Sequence, residues 1–96
     1  MKGAGKGKRA VATLAAVCSI AVACSRPLPE AGTPAAELYR SRCGTCHPAV
    51  SPRSMKYKLW EMVMVRMETR MREAREAPLT AAEQESILSY LERNAQ

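Results

Sequence analysis

The sequence predicts a small all-α domain with three main helices. Apolar residues recur at helical spacing in separate stretches, capping residues stand at the heads of two of them, and no stretch alternates apolar and polar residues as a half-buried strand would. No internal repeat is present. Ninety-six residues allow one domain at most.

The first helix is predicted over 35–42. Thr33 is its N-cap and Pro34 its first helical position, where the missing N–H costs nothing. It presents Leu38 and Tyr39 to a core and delivers the chain to Cys43. The stretch 47–54 holds Pro48, Pro52 and two serines and reads as a loop. The second helix is predicted over 55–74, where Trp60, Val63, Met64, Met67, Met71 and Ala74 share one face at about 100° per residue. Charged residues hold the other side, with Glu68 and Arg72 spaced for i,i+4 support, and Pro78 ends the segment. Thr80-Ala81-Ala82-Glu83 is a capping box that opens a last helix, in which Gln84, Ile87, Leu88 and Leu91 share a face and Asn94 marks a stop.

The head of the chain belongs to none of these helices. Lys2, Lys6, Lys8 and Arg9 precede an apolar run from Ala10 to Ala23, which is the pattern of a cleaved signal peptide over 1–23. A spanning helix would need about 20 apolar residues, more than this run supplies. Ala21-Val22-Ala23 before Cys24 suits an ordinary A-x-A cleavage, and the same residues resemble a bacterial lipobox. Both readings cut the same bond. The expectation is a lipidated Cys24 that anchors the exported chain to the periplasmic side of a membrane, and the alternative is a secreted chain with a free Cys24. Residues 24–34, with three prolines, then read as a flexible tether and 35–96 as the domain.

Cleavage also changes the charge argument. The formal net charge of +6 rests on 15 basic against nine acidic residues. Losing four of those bases with 1–23 leaves eleven against nine, or +2. So small an excess gives no reason to expect nucleic-acid binding.

A domain of about 60 residues buries too little surface to be secure without a staple. Between Ala35 and Gln96 there are nine Val, Ile or Leu, one Trp, three Tyr, five Met and no Phe. A bridge between its only two cysteines would close a loop too small to constrain the unfolded chain. Those cysteines have another use. Cys43-Gly44-Thr45-Cys46-His47 is the C-x-x-C-H signature of covalent haem attachment. One helical turn would set two thiols against the two vinyl groups of one porphyrin, and the next residue would turn an imidazole toward the iron. A thioredoxin-type C-x-x-C would open a helix beneath a strand, whereas this one closes a helix. A structural zinc site would require four ligands, and Cys43, Cys46 and His47 make three.

The short helix, the C-x-x-C-H and the terminal helix running from Leu79-Thr80 through Glu83 to Ile87-Leu88-Ser89-Tyr90-Leu91 resemble the small class I, or monohaem, cytochrome c family over about residues 35–95. The resemblance implies three main helices around one covalently bound haem c per chain. It also implies that Leu38 or Tyr39 meets Leu88, Tyr90 or Leu91 where the first and last helices cross. Many family members place a ligating Met in a loop after the central helices, and no such Met lies between Ala74 and Thr80. Trp60 through Met67 instead resembles a subgroup whose helix runs from a Trp through Val to an Arg-Met pair, in which that Met binds the iron. This makes Met67 the expected distal ligand opposite His47, with Met71 and Met64 as alternatives; methionines at helical spacing also serve as core filling. Pro52 or another loop carbonyl after His47 is expected to accept the imidazole N–H.

The expected function is an electron carrier whose haem cycles between Fe(II) and Fe(III) and serves redox protein partners. Arg40, Arg42 and Arg53 would steer an acidic partner. The alternative is a five-coordinate haem that binds or senses a small gas molecule. No enzymatic activity is expected, because the chain has a single His, no Asp, and glutamates mostly on helix exteriors.

Overall fold

The computed structural model describes residues 26–96, so the expected signal segment and Cys24 lie outside the described residues. Three α-helices and one 3-10 turn make up the described chain, with no strand among the described residues. None of these helices is long and apolar enough to cross a membrane.

Helix α1 runs Pro34–Cys43. Thr33 Oγ1 accepts the Ala36 N–H at 3.3 Å, and Pro34 occupies the first turn, so the start is fixed by the two residues expected to fix it. Such a cap contributes about 1 kcal/mol. The helix stops at Gly44, where a Cβ would collide with the carbonyl oxygen of Arg40.

After the loop, a 3-10 turn covers Pro52–Ser54 and helix α2 covers Tyr57–Glu73. Helix α2 begins two residues later than expected because Met55 is extended at φ −144°. It ends well before Pro78. Arg75 takes a left-handed conformation at φ 59°, the Glu76 N–H reaches the Met71 carbonyl at 2.9 Å, and the Arg75 N–H reaches that of Arg72 at 3.1 Å. This is a Schellman-type closure built on arginine rather than glycine. On the outer face Arg70 pairs with Glu73 and Arg72 donates to Thr69, in place of the Glu68–Arg72 pair that the spacing suggests.

Helix α3 runs Ala81–Asn94 behind a complete capping box: Glu83 N–H donates to Thr80 Oγ1 at 3.1 Å, and Thr80 N–H donates to Glu83 Oε2 at 3.4 Å. Ile87, Tyr90 and Leu91 are fully buried along its inner face. Burying such side chains is worth about 1.5–3 kcal/mol each, which makes α3 the centre of the core.

Both other helices pack on α3. The crossing of α1 with α3 is an aromatic contact, with the Tyr39 and Tyr90 rings 5.2 Å apart, as the family resemblance leads one to expect. Helices α1 and α2 do not pack backbone to backbone; Tyr39 and Trp60 meet edge to face at 6.4 Å, and beyond them the helices leave an open space.

The segment leading into α1 departs from the expected tether. From Leu28 onward it lies against the core. Pro29 accepts the Tyr90 hydroxyl at 2.9 Å, Glu30 pairs with Arg93 at 3.2 Å, and Glu30 also accepts from the Asn94 amide. A buried phenol needs an acceptor for its hydroxyl, and no residue of α1 or α2 supplies one to Tyr90.

Candidate functional site

The space between α1 and α2 is a cavity of about 710 Å³, within the range of about 300–1,000 Å³ typical of cofactor and ligand sites. One wall comes from the end of α1 and the loop after it. Cys43 is the last residue of α1, and it shares a helix face with Tyr39, four residues earlier. Gly44 to His47 then run as bends, so the motif is not a continued helical turn; the Thr45 hydroxyl closes it by donating to the Ser41 carbonyl at 3.1 Å. Cys43, Cys46 and His47 all line the cavity.

The opposite wall is the apolar stripe of α2. Trp60, Val63, Met64, Met67, Met71 and Ala74, the six residues singled out by their periodicity, all border the cavity. The stripe thus faces a space rather than a solid core. Its members differ in how they do so. Met64 is 4 % exposed and belongs to the hydrophobic core, whereas Met67 and Met71 are half-buried. Met55 also reaches the cavity, while Met62 points outward at 69 % exposed.

His47 is oriented by the loop that follows it. Its Nδ1 lies 2.9 Å from the Pro48 carbonyl oxygen. A carbonyl can only accept, so Nδ1 carries the proton and Nε2 keeps its lone pair for a metal. The acceptor is Pro48, another of the loop carbonyls after His47, and not Pro52, whose carbonyl accepts the Trp60 indole N–H at 2.8 Å.

The two thiols sit in different surroundings. Cys46 is exposed and Cys43 half-buried, and they are not joined to each other. Burial pushes the Cys43 thiol up to about 11, against a smaller opposing effect of the Arg42 charge. The Tyr39 phenol is also raised, chiefly by burial and then by the nearby Cys43 and Tyr90. Both groups are therefore neutral at ordinary pH, beside the charged Arg42 that also lines the cavity.

The donor set fits a haem. Two unbridged thiols and an imidazole with a free Nε2 share one apolar cavity, and thioether sulfurs stand on its far wall. Residues 39–96, more than half of the chain, match the family described as dihaem cytochrome c. The chain belongs to the dihaem cytochrome c family. It is accordingly a c-type cytochrome, and haem-based electron transfer is the activity of its family. The match is to a dihaem family and not to the monohaem class I family that the sequence resembles. Within the matched residues there is one C-x-x-C-H and one histidine. No curated protein and no solved structure matches the chain.

Sequence reasoning missed three features of the site. The Tyr39 hydroxyl donates to the Val50 carbonyl at 2.6 Å; its i,i+4 relation to Cys43 was the available signal. Pro48 as the imidazole acceptor had no signal beyond its adjacency. Arg42, expected to steer a partner, is instead half-buried, pairing with Glu83 at 3.1 Å and donating to the Ala77 carbonyl at 2.6 Å. Arg40 is likewise engaged, with Glu37 at 2.7 Å.

Proposed function

We propose that this domain is a one-electron carrier that holds one haem c per chain, attached through Cys43 and Cys46, with His47 Nε2 as the proximal iron ligand and Met67 as the distal one. The observation that carries the proposal is the meeting of Cys43, Cys46 and His47 on one side of an apolar cavity whose other side is the methionine stripe of α2. The count of one haem rests on the single C-x-x-C-H and the single histidine. When bound, the haem supplies an iron that cycles between Fe(II) and Fe(III), at a potential raised by His/Met ligation.

The chain's own residues do the rest. Pro48 holds the imidazole in the tautomer that leaves Nε2 available. Met67 is favoured over Met64 because the Met64 side chain is already committed to the core; Met71 is the remaining alternative. Trp60 and Val63 keep the wall apolar and limit water. No substrate is transformed, and the donor and acceptor are redox proteins that meet the exposed edge around Thr45 and Cys46. With Arg40 and Arg42 paired internally, Arg53 is left as the steering charge of the three. The signal pattern and Cys24 support export and a lipid anchor on the periplasmic side of a bacterial membrane, with +2 of formal charge on the mature chain.

The test is a visible spectrum and an intact mass of the protein expressed with the haem-attachment machinery. The expected product is red, heavier by one haem, low-spin when oxidised, and shows the weak far-red band of sulfur-to-iron ligation. Met67→Leu abolishes that band and Met71→Leu keeps it. A colourless protein with two alkylatable thiols in the motif overturns the haem reading. A red but high-spin protein that responds to carbon monoxide replaces the carrier with a gas-binding haem.

A further inference from the structure

The loop between His47 and α2 is shaped almost entirely by side chains from outside it. Its main-chain bonding amounts to the Ser54 N–H on the Ser51 carbonyl at 3.0 Å, which the Ser54 hydroxyl also reaches, and, at its far end, the Gln96 N–H on the Met55 carbonyl at 3.1 Å. Three alternate carbonyls elsewhere in the loop are each taken by a different ring. Pro48 accepts from His47 at 2.9 Å, Val50 from the Tyr39 hydroxyl at 2.6 Å, and Pro52 from the Trp60 indole at 2.8 Å. Tyr39 stands on α1 and Trp60 on α2, and their rings meet edge to face at 6.4 Å. Both are nearly inaccessible, at 2 % and 3 % exposed, so neither donor has water as a substitute partner.

We propose that Tyr39 and Trp60 are positioning residues for His47: by pinning the Val50 and Pro52 carbonyls they hold the loop so that the Pro48 carbonyl stays on Nδ1. The chemistry follows from the second-shell rule that an acceptor on the remote imidazole nitrogen raises the basicity of the ligating one. A firmly held Pro48 carbonyl makes His47 a stronger donor to Fe(III), which lowers the potential. A loosened loop weakens that bond and raises it. Val50 and Pro52 lie three and five positions beyond His47, so Tyr39 and Trp60 act on the ring through the loop backbone that they pin. The inference rests on the haem reading of His47, but its geometry can be tested without it.

The variant is Tyr39→Phe in the holoprotein, which removes one O–H and keeps the ring on Tyr90 and Trp60. Tyr90→Phe is the control, since it deletes a comparable hydroxyl bond in the same aromatic cluster, to Pro29, on the far side from the loop. At the wild-type midpoint potential, Tyr39→Phe is expected to shift the reduced-to-oxidised ratio at least threefold toward reduced, about 28 mV at 59 mV per decade. Tyr90→Phe leaves it within error, and Trp60→Phe shifts it in the same direction as Tyr39→Phe. His47 is the only histidine, so one ¹⁵N-histidine label reports its ring unambiguously, with or without attached haem. Exchange of its Nδ1 proton should quicken at least tenfold in Tyr39→Phe and not in Tyr90→Phe. Equal shifts in both tyrosine variants, or an unchanged potential and exchange rate in Tyr39→Phe, overturn the proposal. A wild-type protein without haem sinks the haem reading alone, and the exchange comparison still decides the positioning role.

Discussion

Arg42 in the last turn of α1 is bound to Glu83 in the first turn of α3, Nε to Oε2 at 3.1 Å, with both side chains largely shielded from water. The same guanidinium donates to the Ala77 carbonyl at 2.6 Å, so one side chain joins α1, the connection after α2 and the head of α3. Glu83 is also half of the capping box, and its carboxylate serves both partners. Hydrogen bonds to charged groups contribute about 1.5–3 kcal/mol. Arg42→Gln is therefore expected to destabilise the domain by about 2 kcal/mol in denaturant unfolding, and Arg42→Lys to recover little because it lacks the fork that reaches both partners.

Gly44 is required for space. A methyl group there meets the Arg40 carbonyl, which is backbone and cannot step aside without unwinding the end of α1. Gly44→Ala should cost about 1–3 kcal/mol, as overpacking does, and lower the yield of haem-loaded protein, measured as the ratio of haem absorbance to protein.

The two thiols should differ in reactivity before haem is attached. Burial raises the Cys43 thiol to about 11, so little of it is ionised at pH 8, and only a thiolate is nucleophilic. In the haem-free chain at pH 8, Cys46 should alkylate at least about tenfold faster than Cys43. The Cys43 rate should climb as pH approaches 11, and peptide mass mapping after timed alkylation reads both rates.

Acid should release the segment before α1. Hydrogen bonds from Asn94 and then Arg93 hold the Glu30 carboxyl below the usual carboxylate range. A lowered folded value means that the contribution is present at pH above the ordinary carboxylate value and lost as pH falls through the folded one. Amide exchange across 28–33 is expected to rise below about pH 4. In Glu30→Gln that exchange should be raised already at neutral pH and no longer respond to acid.

Much of this architecture could be read from the residues alone. Thr33-Pro34 and Thr80 with Glu83 fix helix starts through bonds within one turn, so local sequence suffices. The stripe from Trp60 to Ala74 was legible as a face, but periodicity cannot tell a face that meets side chains from one that meets a cavity. Of the features that join distant parts of the chain, the crossing of Tyr39 with Tyr90 was implied by the family resemblance, whereas two polar pairs left no trace. Tyr90 with Pro29 and Arg42 with Glu83 span 61 and 41 positions, and nothing local to either partner points to the other. The end of α2 falls at Glu73, within one residue of the expected Ala74, but its device was not legible: Arg75 adopts a backbone conformation that its side chain gives no reason to expect. Of the site, the cysteines and histidine were evident from their spacing, and the carbonyl that orients the ring was placed in the loop but not at Pro48.

A segment whose form is imposed by rings on two helices cannot take shape on its own. Until α1 and α2 have both settled on α3, the Val50 and Pro52 carbonyls lack the donors that pin them, and the bond between His47 and Pro48 has no support from the rest of the loop. Maturation then has a built-in order. If the proposed haem attachment holds, the thiols, at the end of a locally specified helix, would be displayed early to whatever joins them to the porphyrin, and the iron would acquire a fixed partner only when the rest of the chain has closed around it.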